Sequence, residues 1–280
     1  PKQQGKMGKE RIFKRKIYDK MLQWKQTRNG ATALLIKGAH RVGKSTIAEE
    51  FARCEYDSYI LVDFADAPAA LWEAVNNISD RNNFFLQLQF IYGIKLYERR
   101  SVIIFDEVQK CPKAREAIKY LVNDHRYDYI ETGSLLSIKK NTKDIVIPSE
   151  ETRLTMYPMD YEEFCWAVGD DVTIPLLRQA FDALRPLGEA VNRELMRKFR
   201  LDMLVGGMPQ AVLEYVDTQD FDRVDKTKLR ILDLYRQDIY NYADSQAEKV
   251  VRIWDTIPGE LQRKEKRFRI GSVKKGARTR

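Results

Sequence analysis

Over the first 160 residues, short apolar runs alternate with segments of helical periodicity. The runs are Thr32–Ile36, Tyr59–Phe64, Ser101–Phe105, Tyr127–Ser134 and Arg153–Pro158. Each has the length and boundary residues of a strand. Val102–Phe105 is apolar at every position, which predicts a strand covered on both faces. Helices are predicted between the runs. The first spans 11–25, with Ile12, Phe13, Ile17, Tyr18, Met21 and Leu22 on its apolar side; others span Ile47–Arg53, Ala69–Asn77, 82–98 and Lys113–Val122. Residues 136–150 read as a polar loop. Strands alternating with helices predict a parallel sheet with helices on both faces. Its ligand is expected at the carboxyl ends of the strands.

From Asp160 onward only helical patterns remain: Tyr161–Val168, Pro175–Leu184, Leu187–Gly206, Pro209–Tyr215, Lys226–Ala243 and Gln246–Leu261. Gly206-Gly207 interrupts them, and Pro209 suits the first turn of a helix. The expected organisation is an N-terminal helix plus an α/β domain over 1–160, then a helical domain over 161–280.

The candidate chemistry sits at the strand ends. Gly38-Ala39-His40-Arg41-Val42-Gly43-Lys44-Ser45-Thr46 follows the first strand and opens a helix. A strand, a G-x-x-x-x-G-K-S loop and a helix form a P-loop. Its backbone N–H groups and the helix N-terminus favour phosphate oxygens. Lys44 is expected to reach the β- and γ-phosphates, and the Ser45 hydroxyl to ligate Mg²⁺. The third run ends in Asp106-Glu107. Asp106 is placed to hold Mg²⁺ as a Walker-B acid, and Glu107 to polarise an attacking water. The long interval between Lys44 and Asp106 leaves room for an intervening strand and helix, the arrangement of the P-loop class with an extra strand. The fourth run exits through Thr132-Gly133-Ser134. A hydroxyl there would contact the γ-phosphate or the water, and Thr132 and Ser134 are both candidates.

Charge is uneven along the chain. The formal net charge is +8. Residues 1–28 carry ten Lys/Arg against two Asp/Glu, residues 263–280 nine against one, and the interior is net negative. Such ends are solvated or contact the phosphates of DNA. Cys54, Cys111, Cys165, His40 and His125 show no metal-ligand spacing, so neither a zinc site nor a disulfide framework is expected. No apolar run reaches membrane-spanning length and no signal-peptide pattern opens the chain, so a cytoplasmic protein without membrane attachment is expected. Pro1 to Lys6 could precede a native start at Met7.

Taken together, Gly38–Thr46, Asp106-Glu107-Val108-Gln109, Thr132-Gly133-Ser134, Tyr157-Pro158-Met159 with Glu163-Phe164, Gly206-Gly207-Met208-Pro209 and Tyr235–Ile239 resemble the prokaryotic AAA-type ATPases whose second half is a helical domain of unknown function. The resemblance covers most of the chain. It implies ATP as the nucleotide, the strand order 5-1-4-3-2 and a winged-helix-like C-terminal region that stops early here, as in a fragment. The family commonly has Arg where His40 stands, and Ser149-Glu150-Glu151 replaces its usual Gly-Arg pair. The expected activity is Mg²⁺-dependent ATP hydrolysis driving a conformational change, slow in isolation if an arginine finger comes from another subunit. The alternative is a nucleotide-gated switch with little turnover that binds DNA through its basic ends, a protein partner or a second copy of itself.

Overall fold

The computed structural model describes residues 11–134, 150–242 and 247–263 of the 280-residue chain. The predicted polar loop over 136–150 falls almost entirely outside that range, as do most of the basic end residues. Two compact units divide the chain, one reaching Thr227 and one starting at Lys228.

The first unit is built on a five-stranded parallel sheet. Its strands are β1 (Ala33–Gly38), β2 (Ser58–Asp63), β3 (Ser101–Asp106), β4 (Asp128–Ser134) and β5 (Glu151–Met156), in the order β2-β3-β4-β1-β5. This is the expected 5-1-4-3-2 order. β3 and β4 are buried at every position, as the near-continuous apolar run of β3 requires of a sheet covered on both faces.

Alternation along the strands sends side chains to two cores. Leu34, Ile36, Val102, Ile104 and Ile130 pack with Ile47, Ala48 and Phe51 of α2 (Lys44–Glu55) and with Met21 and Trp24 of α1 (Ile17–Arg28). Leu35, Ile103, Phe105 and Tyr129 face α3 (Ala69–Asn76), α4 (Arg81–Tyr92) and α5 (Pro112–Val122).

Helix limits differ from the periodic reading for local reasons. α1 begins at Ile17, not at residue 11, because the backbone N–H of Lys16 is taken by Glu163 Oε1 at 2.7 Å. Phe13 packs instead against Met159, Phe164 and their neighbours. α4 stops at Tyr92 where Gly93 turns left-handed, φ +64°, and Leu96 is buried from the loop beyond.

After β5 come α6 (Tyr161–Ala167), α7 (Thr173–Asp182), α8 (Glu189–Val205), α9 (Pro209–Thr218) and α10 (Phe221–Tyr242). Asp160 and Glu163 form a reciprocal capping box at the start of α6. Met159, Phe164, Val205, Ala211, Val212 and Val224 make a third cluster. The compact unit therefore runs well past residue 160, where the change from strands to helices was placed, since contacts from the N-terminal segment bind α6 to the sheet domain. The second unit holds α11 (Ala247–Leu261), with Tyr235 and Trp254 rings 6.2 Å apart and Arg236 paired with Asp255. Among the described residues no helix is long and apolar enough to cross a membrane.

Candidate functional site

Register brings the strand ends level. Gly38 pairs with Ser134 on β4 and with Met156 on β5. Phe105 pairs with Glu131, so Asp106 and Thr132 follow side by side. The loop of residues 39–43 leaves β1 at this edge and enters α2 at Lys44. Two of its residues are left-handed, Arg41 at φ +62° and Gly43 at φ +94°, which only glycine adopts without strain. Gly38 is required for a different reason: a Cβ there would collide with the Met156 carbonyl oxygen.

Lys44 is buried beneath this loop. Its ammonium donates to the Ala39 carbonyl at 2.9 Å and, at 3.4 Å, to Gly38. Burial holds its pKa below the usual lysine value, against the opposing pull of Glu107 and Asp106. The Ser45 hydroxyl donates to Asp106 Oδ1 at 2.7 Å. Thr132, fully buried, donates to the same oxygen. The Glu107 N–H makes a long 3.4 Å contact to the Thr132 hydroxyl. Glu107 itself is left-handed, φ +52°, as the chain turns off β3, and its carboxylate accepts from Gln109 Nε2.

Lys44, Ser45, Asp106, Glu107 and Thr132 thus converge from three adjacent segments. Thr132 and Ser134 point to one face of β4 but differ in position. Thr132 is bonded to Asp106, whereas Ser134 is buried at the strand end opposite Gly38. His40 and Arg41 lie at the outer turn of the loop, Val42 is fully buried, and Thr46 opens onto a cleft. That cleft, of about 290 Å³, lies beside Gly43, Thr46 and Ile47 and is walled by Phe13, Met156, Pro209 and Leu213.

Two features had no distinguishing signal in the sequence. Arg15 sits in a basic run, yet its side chain is only 6% exposed and bonds to the Val42 carbonyl. Arg115 of α5 is buried between Glu131 and Glu151, at 3.0 and 2.7 Å, on the opposite face of the sheet. Arg153 adds a second cation to Glu151 at 2.5 Å. Burial raises the Glu131 carboxyl to about 8, with the Glu151 charge acting in the same direction and Arg115 against it.

A lysine-bearing loop at the end of a central parallel strand, with an acid pair two strands away and a hydroxyl strand between, defines a P-loop protein of the class with an inserted strand. A family model described as an AAA domain matches residues 30–165, and one described as Domain of unknown function (DUF8612) matches 196–280. The first half of the chain is therefore an AAA-type P-loop domain, followed by a C-terminal domain of unknown function. Among solved structures it is similar to the Orc1 protein of Aeropyrum pernix, determined in complex with DNA. Identity is 13%, the alignment covers 89% of this chain and 74% of that one, and the TM-score is 0.41. So distant a likeness carries no functional argument. No curated protein matches.

Proposed function

We propose that the protein binds ATP with Mg²⁺ at the end of β1 and hydrolyses it. The observation that carries this reading is the single Asp106 oxygen shared by the Thr132 hydroxyl and by the hydroxyl of Ser45, the residue next to the buried Lys44. Lys44 and the loop N–H groups hold the β- and γ-phosphates. The nucleoside lies in the cleft beside Gly43 and Thr46, where Phe13, Met156 and Leu213 offer apolar surface.

Ser45 Oγ and Asp106 Oδ1 are hard oxygen donors 2.7 Å apart. They suit Mg²⁺, which takes one or two protein oxygens and completes its shell with phosphate and water. Bound there, Mg²⁺ neutralises charge on the phosphates. Glu107 orients and deprotonates the attacking water, and Thr132 fixes the geometry between Asp106 and Glu107. Catalysis of this kind is chiefly positioning and charge stabilisation. Arg153 is paired with Glu151, which favours slow turnover in the isolated chain, since an arginine finger contributes ~10³–10⁵ in rate.

Two substitutions test the reading. Lys44→Ala abolishes measurable ATP binding in a calorimetric titration. Glu107→Gln keeps ATP affinity within about threefold but lowers phosphate release by ~10²–10⁴, the usual worth of general-base help. Equal ATP binding by Lys44→Ala removes the P-loop assignment. Unchanged turnover in Glu107→Gln removes the role of Glu107 alone.

A further inference from the structure

The phosphate loop is held from outside by one buried side chain. Arg15 Nη1 donates to the Val42 carbonyl at 2.9 Å, and Nη2 donates to the Tyr157 carbonyl, just beyond β5, at 2.7 Å. Arg15 Nε lies 3.2 Å from Glu163 Oε1, with both side chains under 10% exposed. The Glu163 carboxylate also receives the backbone N–H groups of Lys16 at 2.7 Å and Asp160 at 3.2 Å. One guanidinium therefore joins the loop, the exit of β5 and the first turn of α6. Two fixed donors of a planar fork meet the two carbonyls while the same charged group is ion-paired with Glu163, without a hydrogen bond from Nε; an ammonium lacks this fixed two-donor geometry.

From this geometry we infer that Arg15 is a positioning residue for the phosphate loop and transmits the loop's occupancy to α6, an inference that rests on the ATP-binding reading above. The mechanism follows from the peptide bond. Val42 C=O and Gly43 N–H belong to one planar trans unit, so they point in opposite directions. By fixing the Val42 carbonyl, Arg15 fixes the Gly43 N–H on the far side of the chain, away from itself. Gly43, which supplies the N–H of that unit, is left-handed at φ +94°, and Arg41, one residue before Val42, is left-handed at φ +62°. Gly43 has no side chain to hold its conformation, so the carbonyl contact from Arg15 supplies the restraint. A phosphate drawing on the Gly43 N–H polarises the same peptide and strengthens the Arg15 bond. Arg15 then pulls against Glu163, which caps α6. Loop and helix are coupled through one side chain, and the coupling is reciprocal.

The test uses the full chain and reads ATP affinity together with hydrogen exchange. In the wild type, saturating ATP slows exchange both in residues 38–46 and in residues 157–167. Arg15→Gln weakens ATP binding ~10-fold or more; at saturating ATP its loop is still protected while residues 157–167 exchange as without nucleotide. Glu163→Gln leaves the Arg15 contact to Val42, so ATP affinity stays within about threefold, but protection of 157–167 is lost. All measurements are made well below the melting temperature of each variant. A folded Arg15→Gln protein with wild-type affinity and wild-type protection of 157–167 overturns the inference. If Arg15→Gln does not fold, Glu163→Gln decides it alone: retained protection of 157–167 overturns the coupling, and its loss at near-normal affinity supports it. Absence of ATP binding by the wild type is a separate result that removes the ATP-binding reading itself.

Discussion

Thr132→Val isolates one hydroxyl at the centre of the candidate site. Valine has the shape of threonine and the same preference for a strand, and position 132 is fully buried, so β4 keeps its packing. What is lost is the donor to Asp106 Oδ1 and the distant acceptor for the Glu107 N–H. Asp106 keeps its other donor, Ser45, at 2.7 Å, so the carboxylate is not orphaned. A hydrogen bond to a charged group contributes about 1.5–3 kcal/mol. If that full amount acts in the transition state, at 1.36 kcal/mol per factor of ten, turnover falls about 10- to 150-fold. Steady-state phosphate release measures this, with ATP affinity titrated in parallel. Affinity is expected to change less than threefold, because the hydroxyl contacts Asp106 and Glu107 and not the loop that grips phosphate. Ser134→Ala, the matched comparison, is expected to keep turnover within threefold. The reasoning is refuted if Thr132→Val turns over within twofold of wild type while Ser134→Ala does not, which would give the role to the strand-end serine.

Two further predictions concern stability. Gly207→Ala places a Cβ against the Met159 carbonyl oxygen and 3.0 Å from its nitrogen, and it threatens the 2.7 Å bond from Met159 N to Gly207 O. Both partners are backbone and cannot swing aside, so a loss of about 2–4 kcal/mol is expected in urea unfolding; a change below about 0.5 kcal/mol contradicts the close approach. The buried Glu131 carboxyl, raised to about 8, binds a proton in the folded chain that the unfolded chain releases near its usual value. Stability therefore falls as pH rises from about 4.5 to about 8 and is level on either side. Glu131→Gln copies the protonated form and should flatten the melting temperature between pH 5 and pH 8.5; a variant less stable than wild type at pH 8.5 would show that the ionised pair with Arg115 dominates instead.

The strands were legible because their signal is local. A run such as Val102–Phe105 has no alternative but burial on both faces, and it is buried throughout. The strand, loop and helix around Gly38–Thr46 were equally legible, since the motif that marks them lies within nine consecutive residues. The start of α1 was not. Ile12 and Phe13 fit a helical stripe, but the residues after them are drawn into bonds with Glu163, 147 positions further on for Lys16. Nor was the length of the first compact unit, because the packing of Phe13 with Phe164 and Val212 leaves no trace in either segment alone. Arg15 illustrates the limit most sharply. Its neighbours Lys14 and Lys16 carry the same charge, and composition gives no reason to separate it from a solvated basic end.

The amino-acid sequence alone determined the alternation of strands and helices, the phosphate loop and the acid pair at the end of β3. Each depends on residues within a few positions of one another, where pattern and chemistry coincide. Tertiary structure decided which hydroxyl meets Asp106, which basic residue is buried against the loop, and where the apolar cleft lies. Those depend on register between β3 and β4 and on contacts more than a hundred residues apart, from Arg15 to Tyr157 and Glu163. Long-range contacts are set by the whole chain finding shared cores and common partners for buried charge, and no local segment encodes that choice.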